Sequence, residues 1–174
     1  VDHRDDWTYA LVIPRGHPVE ELRATQSYRE VHEALAAALR VQGVPAKTKV
    51  EGVAPNARSS EPAPKGEGAP PSEGPAGVCF QRAELFDVVC EGSGEKIAGA
   101  AQKRNKNGLL LQGSIWRPAA GGAVDWEKFY DDFVGELSKV LGLPSAATPW
   151  PDFNEEEVSA LVEHYSSPEW LEFR

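Results

Sequence analysis

Hydrophobic and polar positions along the chain recur with two different periods, and each period predicts a different kind of element. The sequence Trp-Thr-Tyr-Ala-Leu-Val-Ile at 7–13 is rich in aromatic and β-branched residues and ends at a proline, which is typical of a strand. Over residues 27–42 apolar side chains recur every three or four positions, which predicts an amphipathic helix. Ser27 with Glu30 forms a capping-box pattern at its start, and Gly43 supplies a stop at its end.

A segment of different composition follows this helix. Residues 51–77 contain five glycines and six prolines and almost no large apolar side chain. Such a segment buries too little surface to offset its ordering entropy, so it is predicted to be a flexible loop. Because the residues after it again have strand character, we interpret it as an insertion within a single domain spanning 1–174.

Three short runs after the loop predict an antiparallel meander. Strands are predicted over 84–91, 96–104 and 109–116, separated by the turn sequences Gly-Ser-Gly and Asn-Lys-Asn-Gly. The middle strand carries Ala-Gly-Ala-Ala at 98–101, which is too small to fill a core layer. Small residues in a strand indicate the close approach of a ligand or of another backbone.

Two further amphipathic patterns predict helices near the end of the chain. The first spans 126–141, is capped by Asp125 and stopped by Gly142, and carries a stripe of Trp126, Phe129, Tyr130, Phe133, Leu137 and Val140. The second is capped by Asn154 and Glu157 and carries Val158, Leu161, Val162 and Tyr165. Together these elements predict an α+β fold, a mixed and largely antiparallel sheet covered by helices.

Composition restricts the functional classes. With 18 Lys and Arg against 27 Asp and Glu, the formal net charge of −9 argues against binding to nucleic acid or to an anionic membrane. No apolar run approaches the roughly 18 residues that span a bilayer. Two cysteines cannot form a disulfide framework, which favours a reducing, cytoplasmic location. The chain contains no methionine and begins at Val1, so we expect residues upstream of it to hold part of the active site.

Two residues are candidates for chemistry. Cys79 lies where the predicted loop meets a strand, a position in which a thiol is accessible as a nucleophile; the alternative is a small buried hydrophobe. Lys96 begins the small-residue strand and would reach a carbonyl or thiolate in a cleft there; the alternative is a solvated surface lysine. Cys90 lies beside two valines and is interpreted as packing. The four histidines are too scattered for a metal site, and no glycine-rich phosphate loop is present.

A resemblance to a known family rests on residues 94–104 and 111–115. Their sequences are Gly-Glu-Lys-Ile-Ala-Gly-Ala-Ala-Gln-Lys-Arg and Leu-Gln-Gly-Ser-Ile. They resemble the signature of the lipoate–protein ligase and octanoyltransferase family, which has Gly-Lys-Lys, an aliphatic residue, any residue, Gly, Ser or Ala, Ala, Gln, any residue and Arg, and later His or Gln before Gly-Ser-Ile. The first strand, the Ser-Tyr pair that opens the first helix, Val-Cys-Phe at 78–80 and Glu-Trp at 169–170 follow in the family's order, so the resemblance covers nearly the whole chain.

The resemblance implies roles for individual residues. Lys96 matches the family lysine that contacts the acyl carbonyl, and Cys79 matches the nucleophile of the cysteine-dependent octanoyltransferases. The implied substrate-binding residues are His3, Gly99, Ala100, Ala101, Gln102 and Gly113. His3 matches the end of the family segment Arg-Arg-x-x-Gly-Gly-Gly-x-Val-x-His, whose arginines and glycines shape the acyl pocket and are absent from this chain.

The resemblance also implies a fold and an activity. The fold is a biotin/lipoate ligase-like catalytic domain that lacks its N-terminal part, completed by a second chain or an N-terminal segment. The activity is transfer of an octanoyl group from acyl carrier protein to a lysine of a lipoyl domain through a cysteine thioester, without a cofactor. One alternative is an ATP-dependent lipoate–protein ligase, which would use ATP and Mg. Another is a non-catalytic acyl-binding protein.

Overall fold

The computed structural model describes residues 5–50, 82–149 and 152–172, and within them it contains one five-stranded sheet. The strands are β1 Asp6–Pro14, β2 Ala46–Thr48, β3 Val88–Cys90, β4 Lys96–Asn105 and β5 Gly108–Trp116. Their order across the sheet is β1-β5-β4-β3-β2, and every neighbouring pair is antiparallel. The predicted meander is therefore confirmed, with β1 paired to the last of its strands.

Six helices lie in the described residues. They are α1 Pro18–Glu21, α2 Ala24–Val41, α3 Arg117–Ala120, α4 Trp126–Leu141, α5 Glu155–Ser166 and α6 Pro168–Glu172. The sequence predicted α4 to the residue, because Asp125 accepts hydrogen bonds from the first-turn backbone and Gly142 ends the helix in the left-handed conformation. Among the described residues, no helix combines the length and the apolar character needed to cross a membrane.

Helix α2 begins three residues earlier than its sequence pattern predicts. The chain enters the helix at Arg23, whose backbone N–H donates a hydrogen bond to the Gln26 side chain. The capping box predicted for Ser27 and Glu30 is therefore wrong. Ser27 is fully buried inside the helix, where its hydroxyl binds groups on β4.

The strand predicted over 84–91 is also wrong in extent, since only Val88–Cys90 is extended. The residues before it form a turn in which Phe86 has a φ of +65°, a conformation that L-residues seldom adopt. The Asp87 side chain accepts a hydrogen bond from the Glu84 N–H and so closes this turn. The alternation of apolar residues predicted a strand because it contains no sign of that tertiary geometry.

One face of the sheet carries the hydrophobic core. Helices α2 and α4 pack against it, with Leu35 and Leu39 from α2, Phe129 and Phe133 from α4, and Leu111 and Ile115 from β5 all buried. Trp7 and Tyr9 of β1 contact the phenylalanine rings of α4 edge-on, and Trp7 also stacks on Trp126. On the opposite face the β1 side chains Thr8, Ala10 and Val12 are exposed in the described part of the molecule.

Two neighbours on α4 test this assignment of the core. Phe129 is fully buried, so Phe129→Ala is expected to lower the free energy of unfolding by about 3–5 kcal/mol. Tyr130, which the sequence pattern placed in the same apolar stripe, is instead 57% exposed. Tyr130→Ala is accordingly expected to change stability by less than about 1 kcal/mol. Urea unfolding of both variants measures the difference, and equal losses would contradict this packing.

Candidate functional site

A cleft of about 700 Å³ lies over the centre of the sheet. It is lined by Thr8, Tyr9, Ala10, Lys96, Gly99, Ala100, Ala101, Gln112, Gly113 and Ser114. The strand registers place Thr8 opposite Ser114 and Ser114 opposite Gly99, so these three residues share one face. That face is the one directed away from α2 and α4. The structure thus brings together five of the residues singled out in the sequence: Lys96, Gly99, Ala100, Ala101 and Gly113.

A β-bulge directs Lys96 into this cleft. Val88 pairs with Ala98 and Val89 pairs with Lys96, so β4 has one residue more than β3 over this stretch. The extra residue lets Ile97 and Ala98, although adjacent, both lie fully buried in the same core. In a regular strand Lys96 would point to the same side as Ala98; the bulge moves it to the cleft side.

Lys96 forms an ion pair beneath this cleft with Asp87. The distance from Lys96 Nζ to Asp87 Oδ2 is 2.8 Å, and the two side chains are 11% and 2% exposed. The lysine folds over Gly99, where an added Cβ would lie 2.8 Å from Lys96 Cε and Nζ. The missing side chain of Gly99 is therefore needed for the lysine to reach Asp87. A buried carboxylate is costly unless it is paired and hydrogen-bonded, so each partner constrains the other.

Helix α2 supplies one further contact of Asp87 and a contact to the neighbouring Phe86. The Tyr28 hydroxyl donates to Asp87 Oδ1 at 2.6 Å and accepts from the Ala100 N–H at 2.9 Å. One turn further, the His32 ring packs at a tilt against the Tyr28 ring with 4.0 Å between centroids, and its Nδ1 donates to the Phe86 carbonyl oxygen at 2.7 Å. These contacts hold the strained turn that presents Asp87.

Burial lowers the pKa of His32 to about 4. The imidazole is fully buried and its Nε2 has no hydrogen-bond partner among the described residues, which disfavours the charged form. The hydrogen bond to Phe86 and the nearby Asp87 act in the opposite direction, while Lys96 adds to the lowering. The ring is consequently neutral at neutral pH.

The free energy of unfolding should therefore depend on pH because of the protonation of His32. Between pH 6.5 and 4 the unfolded chain binds a proton at this residue and the folded protein does not, so stability falls as the pH is lowered through that window. The loss is up to roughly 3 kcal/mol. His32→Asn keeps a donor for the Phe86 carbonyl but cannot titrate. Its unfolding curve should lose most of this dependence, and identical pH slopes for both proteins would contradict the assignment.

The small residues accommodate side chains of the protein itself as well as forming the cleft. At Gly113 an added Cβ would lie 2.3 Å from the Tyr9 ring, so the glycine makes room for that ring on the core side of the sheet. The Tyr9 hydroxyl is buried and has no hydrogen-bond partner in the part of the chain that the structure describes, and burial raises the pKa of this phenol far above its usual value. Ala101 is exposed and forms an open part of the cleft wall.

Gln102 lies on the other side of β4. Its Nε2 donates to the Ala24 carbonyl at 2.6 Å, and its Oε1 accepts from the Ser27 hydroxyl at 3.2 Å. The neighbouring Arg104 donates to the same hydroxyl at 2.7 Å. These bonds fasten β4 to the start of α2, beside a smaller cleft of about 260 Å³. A role of Gln102 in binding substrate stays a prediction.

Cys79, His3 and the predicted loop over 51–77 lie outside the described residues. Cys90 is partly buried and packs against the hydrophobic core. Hydrogen bonds from Ser93 nevertheless lower the pKa of its thiol. In the ranges that the structure covers, no cluster of three or more His, Cys, Asp or Glu side chains is arranged to hold a metal ion.

Sequence reasoning missed two residues of the site, Asp87 and Tyr28. A signal for Asp87 was present, since an aspartate among Leu85, Phe86, Val88 and Val89 must be buried and therefore needs a cation and donors nearby. Tyr28 carried a weaker signal, as a member of the Ser-Tyr pair that follows the family's order. It lies on the apolar stripe of α2, where a tyrosine is expected to pack through its ring.

Comparisons with known proteins agree with the fold. No protein-family model matches the chain. An octanoyltransferase LipM from Exiguobacterium sp. is 31% identical over 132 residues, which are 76% of this chain and 41% of that protein. The LipM of Macrococcus caseolyticus is 24% identical over 211 aligned residues, covering 99% of this chain and 70% of that protein.

Two solved structures share the fold. A putative lipoate protein ligase from Thermoplasma acidophilum with bound lipoic acid superposes with a TM-score of 0.58 at 16% identity, covering 96% of this chain and 64% of that chain. A bi-partite lipoate protein ligase studied with its E2 lipoyl domain, from the same organism, gives 0.57 at 16% identity with the same coverage. The α+β ligase-like fold expected from the sequence is confirmed. The chain spans about two fifths of the Exiguobacterium relative.

Proposed function

Because the chain belongs to the lipoate–protein ligase and octanoyltransferase family, we propose that it is an acyltransferase that passes an octanoyl group to a lipoyl domain. The observation that supports this most directly is the Lys96 ammonium, anchored by Asp87 at a cleft of about 700 Å³ with glycine and alanine in its wall. This volume falls within the roughly 300–1,000 Å³ of small-molecule sites.

The proposed reaction has two acyl transfers. The Cys79 thiolate attacks the carbonyl carbon of an octanoyl thioester, and Lys96 with backbone N–H groups stabilises the oxyanion that forms. The carbonyl is restored as the carrier's thiol leaves with a proton, which gives an octanoyl thioester on Cys79. The lysine amine of the acceptor then attacks this thioester, forms an amide, loses a proton and releases the Cys79 thiolate. Exchange between thioesters is close to isoenergetic, so neither ATP nor another cofactor is required.

The proposed partners are acyl carrier protein as donor and a lipoyl domain as acceptor. The β4–β5 hairpin is the most basic short stretch of the chain, and its Lys103 and Lys106 are exposed. Arg104, in the same stretch, is turned back toward Glu20 at 3.8 Å. We propose that the two lysines face an acidic carrier protein. A cytoplasmic location fits this chemistry and stays a prediction.

We propose that additional polypeptide covers the cleft. Residues such as Thr8, Ala10 and Gln112 lie exposed on the sheet face that carries the cleft. The LipM relative from Exiguobacterium has more than half of its length outside the region that matches this chain. Either an N-terminal segment or a second chain would exclude water from the acyl group. His3 is proposed to bind the substrate at this part of the site.

Mass spectrometry of the full-length protein tests the proposed transfer. Incubation with octanoyl-acyl carrier protein should add one octanoyl group to Cys79, and a later addition of lipoyl domain should remove it and octanoylate a lysine of that domain. Transfer should proceed without ATP. An absence of both adducts in the complete protein would contradict the proposal.

A second candidate function is ATP-dependent lipoate ligation, which the two structural neighbours favour because both are described as lipoate protein ligases. Lys96 would then contact an acyl-adenylate, and Cys79 would be incidental. ATP–pyrophosphate exchange that depends on lipoate should appear under this alternative alone. Octanoate binding without either signal would instead identify a non-catalytic acyl-binding protein.

A further inference from the structure

We propose that Tyr28 is a positioning residue of this site, which holds the Lys96 ammonium in place through Asp87. The proposal rests on the proposed function, in which Lys96 stabilises a developing oxyanion. It concerns a hydroxyl on α2 that lies on the far side of Asp87 from the lysine.

The Tyr28 hydroxyl has one fixed orientation. It donates a hydrogen bond to Asp87 Oδ1 at 2.6 Å, and its oxygen accepts one from the Ala100 N–H at 2.9 Å. Ala100 belongs to the same strand as Lys96, four residues further along. The hydroxyl therefore ties the carboxylate to the strand that carries the lysine.

Both carboxylate oxygens of Asp87 therefore have partners. Oδ1 accepts from Tyr28, while Oδ2 accepts from the Glu84 N–H at 2.7 Å and lies 2.8 Å from Lys96 Nζ. With one oxygen held by the hydroxyl, the carboxylate cannot rotate about its last bond without losing a charge-assisted hydrogen bond. The Lys96 ammonium is paired with this carboxylate at 2.8 Å, so a shift of Asp87 is expected to displace the ammonium as well. Misplacement of a charge-stabilising group by about 1 Å costs as much as 100-fold in rate.

Packing alone does not require the hydroxyl. The Tyr28 ring contacts the His32 ring, and a phenylalanine would preserve that contact. Burial and the Asp87 carboxylate together raise the pKa of this phenol well above its usual value, so it stays a donor at any working pH. The oxygen atom is thus the part of Tyr28 that acts on the site.

The test compares Tyr28→Phe with a matched variant, Tyr130→Phe, whose exposed hydroxyl lies away from the cleft. Two measurements are made on the full-length protein. The first is kcat and KM for octanoyl transfer from acyl carrier protein. The second is the rate of acetylation of Lys96 by a pulse of acetic anhydride, mapped by peptide mass spectrometry and referred to the exposed Lys139.

Each variant is also made in an Asp87→Asn background, which gives a double-mutant cycle. Tyr28→Phe should lower kcat about tenfold with little change in KM, and should change the relative acetylation rate of Lys96 severalfold. In the Asp87→Asn background both effects should shrink to less than about twofold, because the hydroxyl acts through that carboxylate. Tyr130→Phe should change neither measurement in either background.

Equal effects of Tyr28→Phe in the two backgrounds would overturn the proposal, as would unchanged kcat and acetylation in the single variant. Thermal unfolding of each protein identifies a general loss of structure, which would lower acetylation selectivity in both backgrounds alike. The acetylation measurement does not require octanoyl-acyl carrier protein. A wild-type protein without transfer activity would therefore refute the proposed function. The double-mutant cycle measured by acetylation of Lys96 would still decide whether Tyr28 positions the lysine.

Discussion

Replacing Lys96 by alanine is expected to reduce octanoyl transfer by about 100-fold or more, the effect of losing a donor that stabilises a developing oxyanion. The matched control is Lys139→Ala, a lysine on the outer surface of α4 whose partner is Glu136. Its rate should equal that of the wild type. Steady-state assays with octanoyl-acyl carrier protein measure both, and a Lys96→Ala enzyme within threefold of wild type would remove the ammonium from the mechanism.

The same substitution also threatens the fold. Asp87 is 2% exposed, and without its partner it becomes a buried, uncompensated charge, which typically costs about 3–5 kcal/mol. The double variant Asp87→Asn with Lys96→Gln removes both charges together. We expect it to recover most of the stability while its transfer activity stays at the level of Lys96→Ala. Recovery of activity along with stability would show that the lysine serves the fold alone.

Cys79→Ser is expected to abolish transfer, by roughly 1,000-fold or more, since an alcohol at this position is not ionised near neutral pH and the acyl intermediate no longer forms. Stability should not change. Intact mass after incubation with octanoyl-acyl carrier protein should show the octanoyl adduct on the wild type and none on the variant.

Cys90 provides a demanding control for this experiment because its thiol pKa is lowered by Ser93. If any activated thiol accepted the acyl group, Cys90→Ser would also lose part of the adduct. We expect Cys90→Ser to retain full transfer and full labelling at Cys79. An adduct that maps to Cys90 would transfer the nucleophile's role to a residue that the sequence assigned to packing.

Local patterns predicted the parts of the fold that local interactions determine. Helix α4 was placed correctly because Asp125 and Gly142 cap it through their own backbone neighbours. The start of α2 was misplaced because Ser27, a good capping residue by type, is used for a tertiary bond to Gln102. Each error occurs where a contact distant in sequence determines the local conformation.

The candidate site shows the same division. The motif around Lys96 and the small residues after it indicated a cleft, and the structure places them together. What periodicity could not show was the side of the sheet that Lys96 faces, since this depends on an unequal number of residues in two paired strands. The positive φ of Phe86 was likewise invisible, because the His32 ring that supports it lies 54 positions away.

Because β4 has one residue more than β3 at the bulge, the face of the sheet that carries the Lys96 amine depends on the number of residues in this part of β4. A lysine moved one step along, to position 97, would enter the hydrophobic interior where Ile97 now lies. Removing Ile97 would restore simple alternation and leave Lys96 on the cleft side, but the core would lose a fully buried side chain. The bulge and the number of residues between Lys96 and Gly99 together decide which face of the sheet carries the amine, so any redesign of the cleft has to change them in step.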